Sequence, residues 1–175
     1  MGIGGLLKGR NKGKVSLPKK LHSYSEKFGV KHLAKHHLHG HPILLYSGRK
    51  KLVHQQVLLI GEVAGCVDPL TAEGIRPAIK SGYLAAEAIV AALKVQNYSL
   101  LNHYDREFHA QIGKDFQLAR LMAYFLNRHL TKLLPMISST AAIDGFMSVF
   151  SGKSSYRQKI NLRRIFKMLL KVIYK

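Results

Sequence analysis

An aliphatic run, Val57, Leu58, Leu59 and Ile60, stops at Gly61 and is followed at once by the carboxylate of Glu62. At the carboxyl end of a strand such a carboxylate can accept hydrogen bonds from sugar hydroxyls, and the glycine lets a ligand lie against bare backbone. A loop follows, marked by Gly65 and the Asp68-Pro69 pair, and then an apolar-periodic stretch running to about Leu93. Thr71 reads as the N-cap of that helix and Glu73 as an acidic residue suited to its dipole. Gly74 in a first helical turn costs ~1 kcal/mol against alanine, which makes sense where something must come close. Strand end and helix start together describe a site for an anionic, hydroxyl-bearing ligand held by a carboxylate and by free amides. The same pattern also describes a buried βα unit with an incidental acidic residue after the strand.

Other reactive side chains carry weaker signals. Histidines stand at 22, 32, 36, 37, 39 and 41, and the i, i+4 pair His32 and His36 has zinc-ligand spacing. No acidic or cysteine ligand accompanies them, and Lys31 and Lys35 interleave the run, so a solvated basic face is the default and no metal is assigned. The single cysteine, Cys66, excludes an intrachain disulfide and reads as a small buried hydrophobe in a reducing compartment.

The run Gly61, Glu62, Ala64, Gly65, Asp68, Pro69, Leu70, Thr71, Glu73, Gly74, Ile75, with Ala78, Ser81, Gly82 and the 84–87 stretch behind it, resembles the second FAD-binding motif of the geranylgeranyl reductase family. That family belongs to the flavoprotein hydroxylase-like FAD-dependent oxidoreductases. Gly40-His41-Pro42-Ile43 and Tyr104-Asp105-Arg106 extend the resemblance over roughly residues 1–150. It implies a flavoenzyme that reduces isoprenoid double bonds, with an isoprenoid or lipid substrate and NAD(P)H as reductant. The implied FAD-binding residues are Gly61, Glu62, Gly65, Asp68, Pro69, Ala72, Glu73, Gly74 and Ile75. Glu62 would hold the ribityl hydroxyls, and the backbone at Gly74 and Ile75 would face the flavin O2 and N1. Two positions depart from the pattern: Glu62 stands where the family has aspartate, and Ala72 where it has glycine. No catalytic acid is identified.

The elements that would position these residues follow from periodicity. Residues 8–20 read as a loop and 21–39 as a helix; 43–46 and a run ending at Ile60 read as strands. A long helical stripe from Leu101 to Leu133 ends at Pro135, and a shorter helix spans 141–150. In the last stretch, 156–175, Leu162, Ile165, Phe166, Leu169, Val172 and Ile173 lie opposite Lys159, Arg163, Arg164, Lys167, Lys171 and Lys175. A basic amphipathic helix of this kind suits an anionic membrane surface as well as ordinary packing.

The expected fold class is α/β, an α+β fragment. It would comprise part of a FAD-binding Rossmann-like domain and the end of a substrate-domain sheet, followed by a mainly helical C-terminal region. The expected divisions are 1–50 (sheet remnant with basic loop and helix), 51–97 (FAD-binding strand, loop and helix), 98–152 (helical) and 153–175 (basic tail helix). The sequence holds no strand followed by Gly-x-Gly-x-x-Gly and a helix, the element that binds the FAD pyrophosphate. The expectation is therefore the C-terminal portion of such an enzyme, with a complementary N-terminal half as partner. The +19 formal charge is concentrated at the ends: residues 1–60 carry twelve Lys/Arg and one acid, 61–152 eight of each, and 153–175 eight bases and no acid. A neutral middle speaks against nucleic acid as the main partner, although a non-enzymatic basic protein with a relic FAD motif is the alternative. No apolar run reaches the ~18 residues of a membrane span, so the expected location is cytoplasmic with peripheral membrane contact.

Overall fold

The computed structural model describes residues 16–30, 38–49 and 51–159. The chain divides into two compact units, Met1–Pro42 and Ile43–Lys175. In the first, helix α1 (Leu17–Glu26) starts where a loop was expected: the Ser16 hydroxyl accepts the Lys19 N–H and Pro18 sits in the first turn. It ends well short of residue 39, in a turn through Gly29 that returns the Val30 N–H to the Ser25 carbonyl. The His32 and His36 pair lies outside the described residues.

The second unit is mainly helical. Strands β1 (Val53–His54) and β2 (Val57–Leu58) form an antiparallel hairpin in which Val53 faces Leu58, closed by a two-residue loop with Gln55 at positive φ. Helix α2 (Ile75–Lys94) follows; a 3-10 turn (Tyr98–Leu101) leads into α3 (Asn102–Phe108), and a π turn (His109–Gly113) joins it to α4 (Lys114–Ile137). Helices α5 (Thr140–Phe150) and α6 (Tyr156–Lys159) complete it. This is a mostly helical α+β arrangement. The parallel sheet of a Rossmann-like domain is not among the described residues, because the 57–60 segment pairs only with β1 and its flank.

Three expectations are corrected. Residues 43–46 do not form a strand; the Tyr46 N–H donates once, to the Val67 carbonyl, and a single bond makes no ladder. Helix α4 runs past Pro135 to Ile137, with its irregularity upstream at His129 (φ −130°, ψ 30°). Thr71 does not cap α2: its Oγ1 accepts the Glu73 N–H, and the cap position falls on Gly74. Of the expected tail helix only α6 lies within the described residues.

The core forms where α2 and α3 cross beneath the hairpin. Tyr104 and Phe108 are fully buried in edge-to-face contact at 6.0 Å, and Ala85, Ala88 and Ala92 let the two helices approach closely. A buried Phe typically contributes ~1.5–3 kcal/mol through the apolar area it removes from water. The short sheet leaves backbone groups at its ends, and helix side chains take them up. Asp105 Oδ1 accepts the Leu52 N–H at 2.7 Å, and the Tyr104 hydroxyl donates to the Leu59 carbonyl at 2.7 Å. Ser81 Oγ accepts the Gly61 N–H at 2.9 Å while donating to Ala78. Buried backbone groups without a partner cost about as much as a lost hydrogen bond, so these side chains act as the missing ladder.

The loop between the strand end and α2 is organised by Asp68, which is only 6% exposed. Its Oδ1 accepts the amides of Leu70 and Thr71, at 2.7 and 3.3 Å. Its backbone closes the loop from the other side: Asp68 N–H donates to the Glu73 carbonyl, and its carbonyl accepts from Ala72. Oδ2 accepts the Tyr156 hydroxyl at 2.6 Å, pinning the loop to α6. Ala72 sits at φ +59° to make this closure, a conformation in which a Cβ is penalised.

Two outcomes follow from this loop. Ala72→Gly removes the penalty and stabilises the fold by about 0.5–1 kcal/mol, after the entropy glycine adds to the unfolded chain. Calorimetry should then show a melting temperature higher by about 1–4 °C. Tyr156→Phe leaves the buried carboxylate short of a donor, at about 1.5–3 kcal/mol, and lowers the melting temperature by roughly 4–10 °C. Burial, and then the Asp68 carboxylate, push the Tyr156 hydroxyl far above its ordinary range; burial does the same for Tyr104 and raises the Cys66 thiol. The folded chain therefore keeps protons that the unfolded chain releases at about pH 8.5–10. These groups stabilise fully below that window, and stability falls as pH rises through it, by ~1.4 kcal/mol per pH unit for each retained proton. A melting curve at pH 10.5 should thus show a depressed transition, and Tyr156→Phe should flatten the decline.

Candidate functional site

The 57–60 segment ends in extended Ile60, and the chain turns at Gly61 (φ +64°) into a 3-10 turn (Gly61–Ala64) that Gly65 terminates. This turn lies along the flank of α2. A Cβ on Gly61 would stand 3.8 Å from that of Ala78, and the Gly61 N–H reaches Ser81. Gly74, at the helix start, lies instead over Val67; a Cβ there would come within 3.1 Å of a Val67 methyl and 3.5 Å of the Cys66 carbonyl. This close approach gives the glycine its reason. At 1.5 Å rise per residue, the two glycine stations are about 6–10 Å apart along α2.

Between these stations the nine sequence-derived residues occupy different environments. Glu62 is half-buried on the 3-10 turn, with Oε1 accepting the Leu44 N–H at 2.9 Å. Glu73 Oε1 accepts the Arg76 N–H at 3.0 Å, so one first-turn amide of α2 is already satisfied, and Pro77 has none to give. Among the described residues the amides of Gly74 and Ile75 take no acceptor. The Ile75 side chain is 78% exposed. Asp68 is turned inward onto Leu70, Thr71 and Tyr156, Pro69 and Gly65 are half-buried in the loop, and Ala72 faces solvent. Gly61 and Glu62 thus stand at one end of the loop, beside Ser81 and Leu44, and Gly74 and Ile75 at the other, while Asp68 holds the loop from within. Exposed Ile60 and Val63 lie by the 3-10 turn.

Cys66 is fully buried; desolvation raises its thiol, opposed by hydrogen bonds from Ser81 and the Gly61 backbone, so it stays neutral and packs as a small hydrophobe. Among the described residues no cluster of three His, Cys, Asp or Glu side chains is placed to hold a metal, and no helix is long and apolar enough to cross a membrane. A cleft of about 330 Å³ opens on the far side of the loop, between the start of α2, the π turn and the 152–158 segment. Arg76, Lys80 and Lys153 line it with Asp68, Glu73 and Asp115, and Asp115 is paired with Arg157 at 3.1 Å, so the cleft has no dominant sign.

Sequence reasoning missed three contributors. Ser81 enters the sequence reading only as part of the motif resemblance, with no role of its own, yet it ties the strand end to α2. Tyr156 stands 88 residues from Asp68, with no local signal of the contact. Arg76 donates to the Val149 carbonyl at 3.1 Å and so fixes the helix start against the end of α5.

Comparison with known proteins finds partial likenesses in sequence. No protein-family model matches the chain, and no solved structure matches it. It is 33% identical over 101 residues to conditioned medium factor receptor 1 of Dictyostelium discoideum, covering 57% of this chain and 19% of that protein. It is 36% identical over 69 residues to digeranylgeranylglycerophospholipid reductase 3 of Methanosphaera stadtmanae, covering 38% of this chain and 17% of the reductase. With digeranylgeranylglycerophospholipid reductase 1 of Methanothermobacter thermautotrophicus it shares 27% identity over 126 residues, 70% of this chain and 29% of that enzyme. The chain spans less than a third of the length of the curated relatives it matches, and over that span it is distantly similar to digeranylgeranylglycerophospholipid reductases.

Proposed function

We propose that this chain is the isoalloxazine-side portion of a FAD-dependent reductase of geranylgeranyl reductase type, acting on an isoprenoid lipid. The observation that carries the reading is a carboxylate at one end of the loop and the first-turn amides of α2 at the other. Gly61 and Gly74 lie about 6–10 Å apart along α2, with a carboxylate beside the first and, at the second, two amides that take no acceptor among the described residues. The cofactor fits this arrangement by half. Glu62 suits ribityl hydroxyls, and Ile60, Val63 and Ile75 offer apolar surface to an aromatic ring, while the Cβ side of each glycine is taken up by the chain itself, by Ala78 at Gly61 and by Val67 at Gly74. Nothing in the sequence suits the pyrophosphate, since the glycine-rich strand, turn and helix that would hold it are not present.

FAD held there would supply hydride-transfer chemistry for reducing a double bond, with NAD(P)H as the class of reductant. This chain's own residues do the positioning. The amides of Gly74 and Ile75, at the positive end of a 20-residue helix, hold the pyrimidine edge and favour negative charge there, typically by ~0.3–2 kcal/mol. Glu62 orients the ribityl chain while remaining tied to Leu44. Asp68 keeps the helix start in place without touching the ligand, because its carboxylate is committed to Leu70, Thr71 and Tyr156. The adenine half belongs to another segment or a complementary polypeptide.

A half-site has a clear signature in solution. Riboflavin, FMN and FAD should quench on titration with affinities within about threefold of one another, since phosphate and adenosine add no contact. Glu62→Gln keeps an acceptor for the Leu44 amide but loses the charge, and should weaken riboflavin about three- to tenfold. Absence of quenching, or FAD binding more than ~30-fold tighter than riboflavin, would sink the half-site. Absence of all flavin binding, alone or with the relatives' missing portion supplied, would leave a basic protein with a relic motif.

A further inference from the structure

Helix α5 is anchored along one side only. Val149 packs with Ala119 and Tyr156, and its carbonyl accepts from Arg76, so the helix is fixed through the side that carries Ala142, Gly145 and Val149. About 120° around the axis from there, Ile143, Phe146, Met147 and Phe150 form a second stripe, at the i, i+3, i+4 and i+7 spacing of one helix face. These four are between 43% and 52% exposed, and the rings of Phe146 and Phe150 stack with centroids 6.3 Å apart. Asp144 and Ser148 stand on the remaining flank.

The chain around this stripe is basic. Residues 121–175 hold ten Lys/Arg and one acid, Asp144, which lies off the stripe. Arg128 and Lys132 are exposed on the turns of α4 that lead into the helix, and exposed Lys153 follows it. Even with Arg157 paired to Asp115, the excess is positive. A surface that is apolar along one line and positive on both sides suits an apolar layer lying beneath anionic headgroups. Its size points the same way. Four half-exposed side chains present on the order of 400 Å², about half of what each partner buries in a standard protein interface. A bilayer demands no matching shape and accepts apolar side chains singly. A second copy fits badly, because an isologous contact would bring the same positive charge to the same place.

We propose that the Ile143, Phe146, Met147 and Phe150 stripe of α5 is a membrane-contact face, which enters the interfacial layer of an anionic bilayer while the flanking bases meet the headgroups. The rival occupants are the chain's own residues 160–175 and an acidic protein. The inference stands apart from the flavin reading, since no cofactor enters it.

The chain has no tryptophan, so Phe150→Trp places a single fluorescent reporter in the stripe. In buffer its emission should be that of a water-exposed indole. Vesicles in which roughly a third of the lipid is phosphatidylserine should shift it to the blue and make it quenchable by lipids brominated on their acyl chains. Vesicles of phosphatidylcholine alone should bind at least tenfold more weakly. In the full chain without the reporter, Met147→Glu should weaken sedimentation with the anionic vesicles at least tenfold. Glutamate is a good helix former and the site is half-exposed, so the helical signal and the melting transition are kept. Emission already blue before vesicles are added means that the stripe is covered within the protein, and overturns the proposal. So does vesicle binding that leaves the emission unshifted and Met147→Glu unimpaired, which puts the contact on another basic segment. Absence of vesicle binding overturns it as well.

Discussion

One buried carboxylate sets the geometry on which the rest of the candidate site depends. Asp68 accepts three hydrogen bonds, two from amides of its own loop and one from Tyr156, and its backbone closes the same loop through Glu73 and Ala72. Hydrogen bonds to a charged acceptor are worth ~1.5–3 kcal/mol each, and an uncompensated buried charge costs several. The carboxylate is therefore tolerable in the interior only while the loop keeps one shape. That shape puts Gly74 against Val67 at the start of α2, where the amides of Gly74 and Ile75 take no acceptor among the described residues. The constraint is strong enough to hold Ala72 at positive φ, against the preference of any residue with a Cβ.

The second organising device is substitution of helix side chains for sheet partners. A hairpin with two residues in each strand cannot satisfy its own backbone, and isolated two-stranded hairpins are marginal in water. Here Asp105 and Tyr104 from α3 and Ser81 from α2 complete it. Their reach requires α2 and α3 to lie close beneath the strands, which the small residues Ala85, Ala88 and Ala92 permit. The 57–60 segment thus ends in a defined position relative to α2, and Glu62 inherits that position.

What the sequence made legible divides along the line between local and distant causes. Helix α2 follows from a 3.6-residue pattern and ends within a residue of where the periodicity fades, and α5 appears where Ser139 offers its hydroxyl to Ala142. The loop between the glycines is visible in Gly65 and Asp68-Pro69 because turn chemistry is local. Residues 43–46 looked like a strand since a short apolar run has the same composition whether it pairs with a neighbour or merely packs, and only the single Tyr46 to Val67 bond distinguishes them. The inward role of Asp68 was illegible for the opposite reason: a carboxylate in a loop reads as ligand-facing until the hydroxyl of Tyr156, far along the chain, is seen to meet it. The contribution of Ser81 was hidden likewise, for a serine on an alanine-rich helix is unremarkable until the amide it receives is known.

The two faces of α2 connect these themes. Helix α2 covers its alanine face with α3 and carries Arg76, Lys80, Glu87 and Lys94 on another side, while Ile75, Ile79 and Leu93 remain exposed beside them. Water-exposed isoleucines contribute nothing to the fold as it stands, so their periodic spacing is unexplained by the stability of this chain alone. The helix start that Asp68 holds in place is continuous with that face through Ile75, whose side chain lies on it and whose N–H belongs to the first turn. Whatever packs against the isoleucine face therefore borders the same end of the helix as a ligand at Gly74, and covering the face would remove water from both.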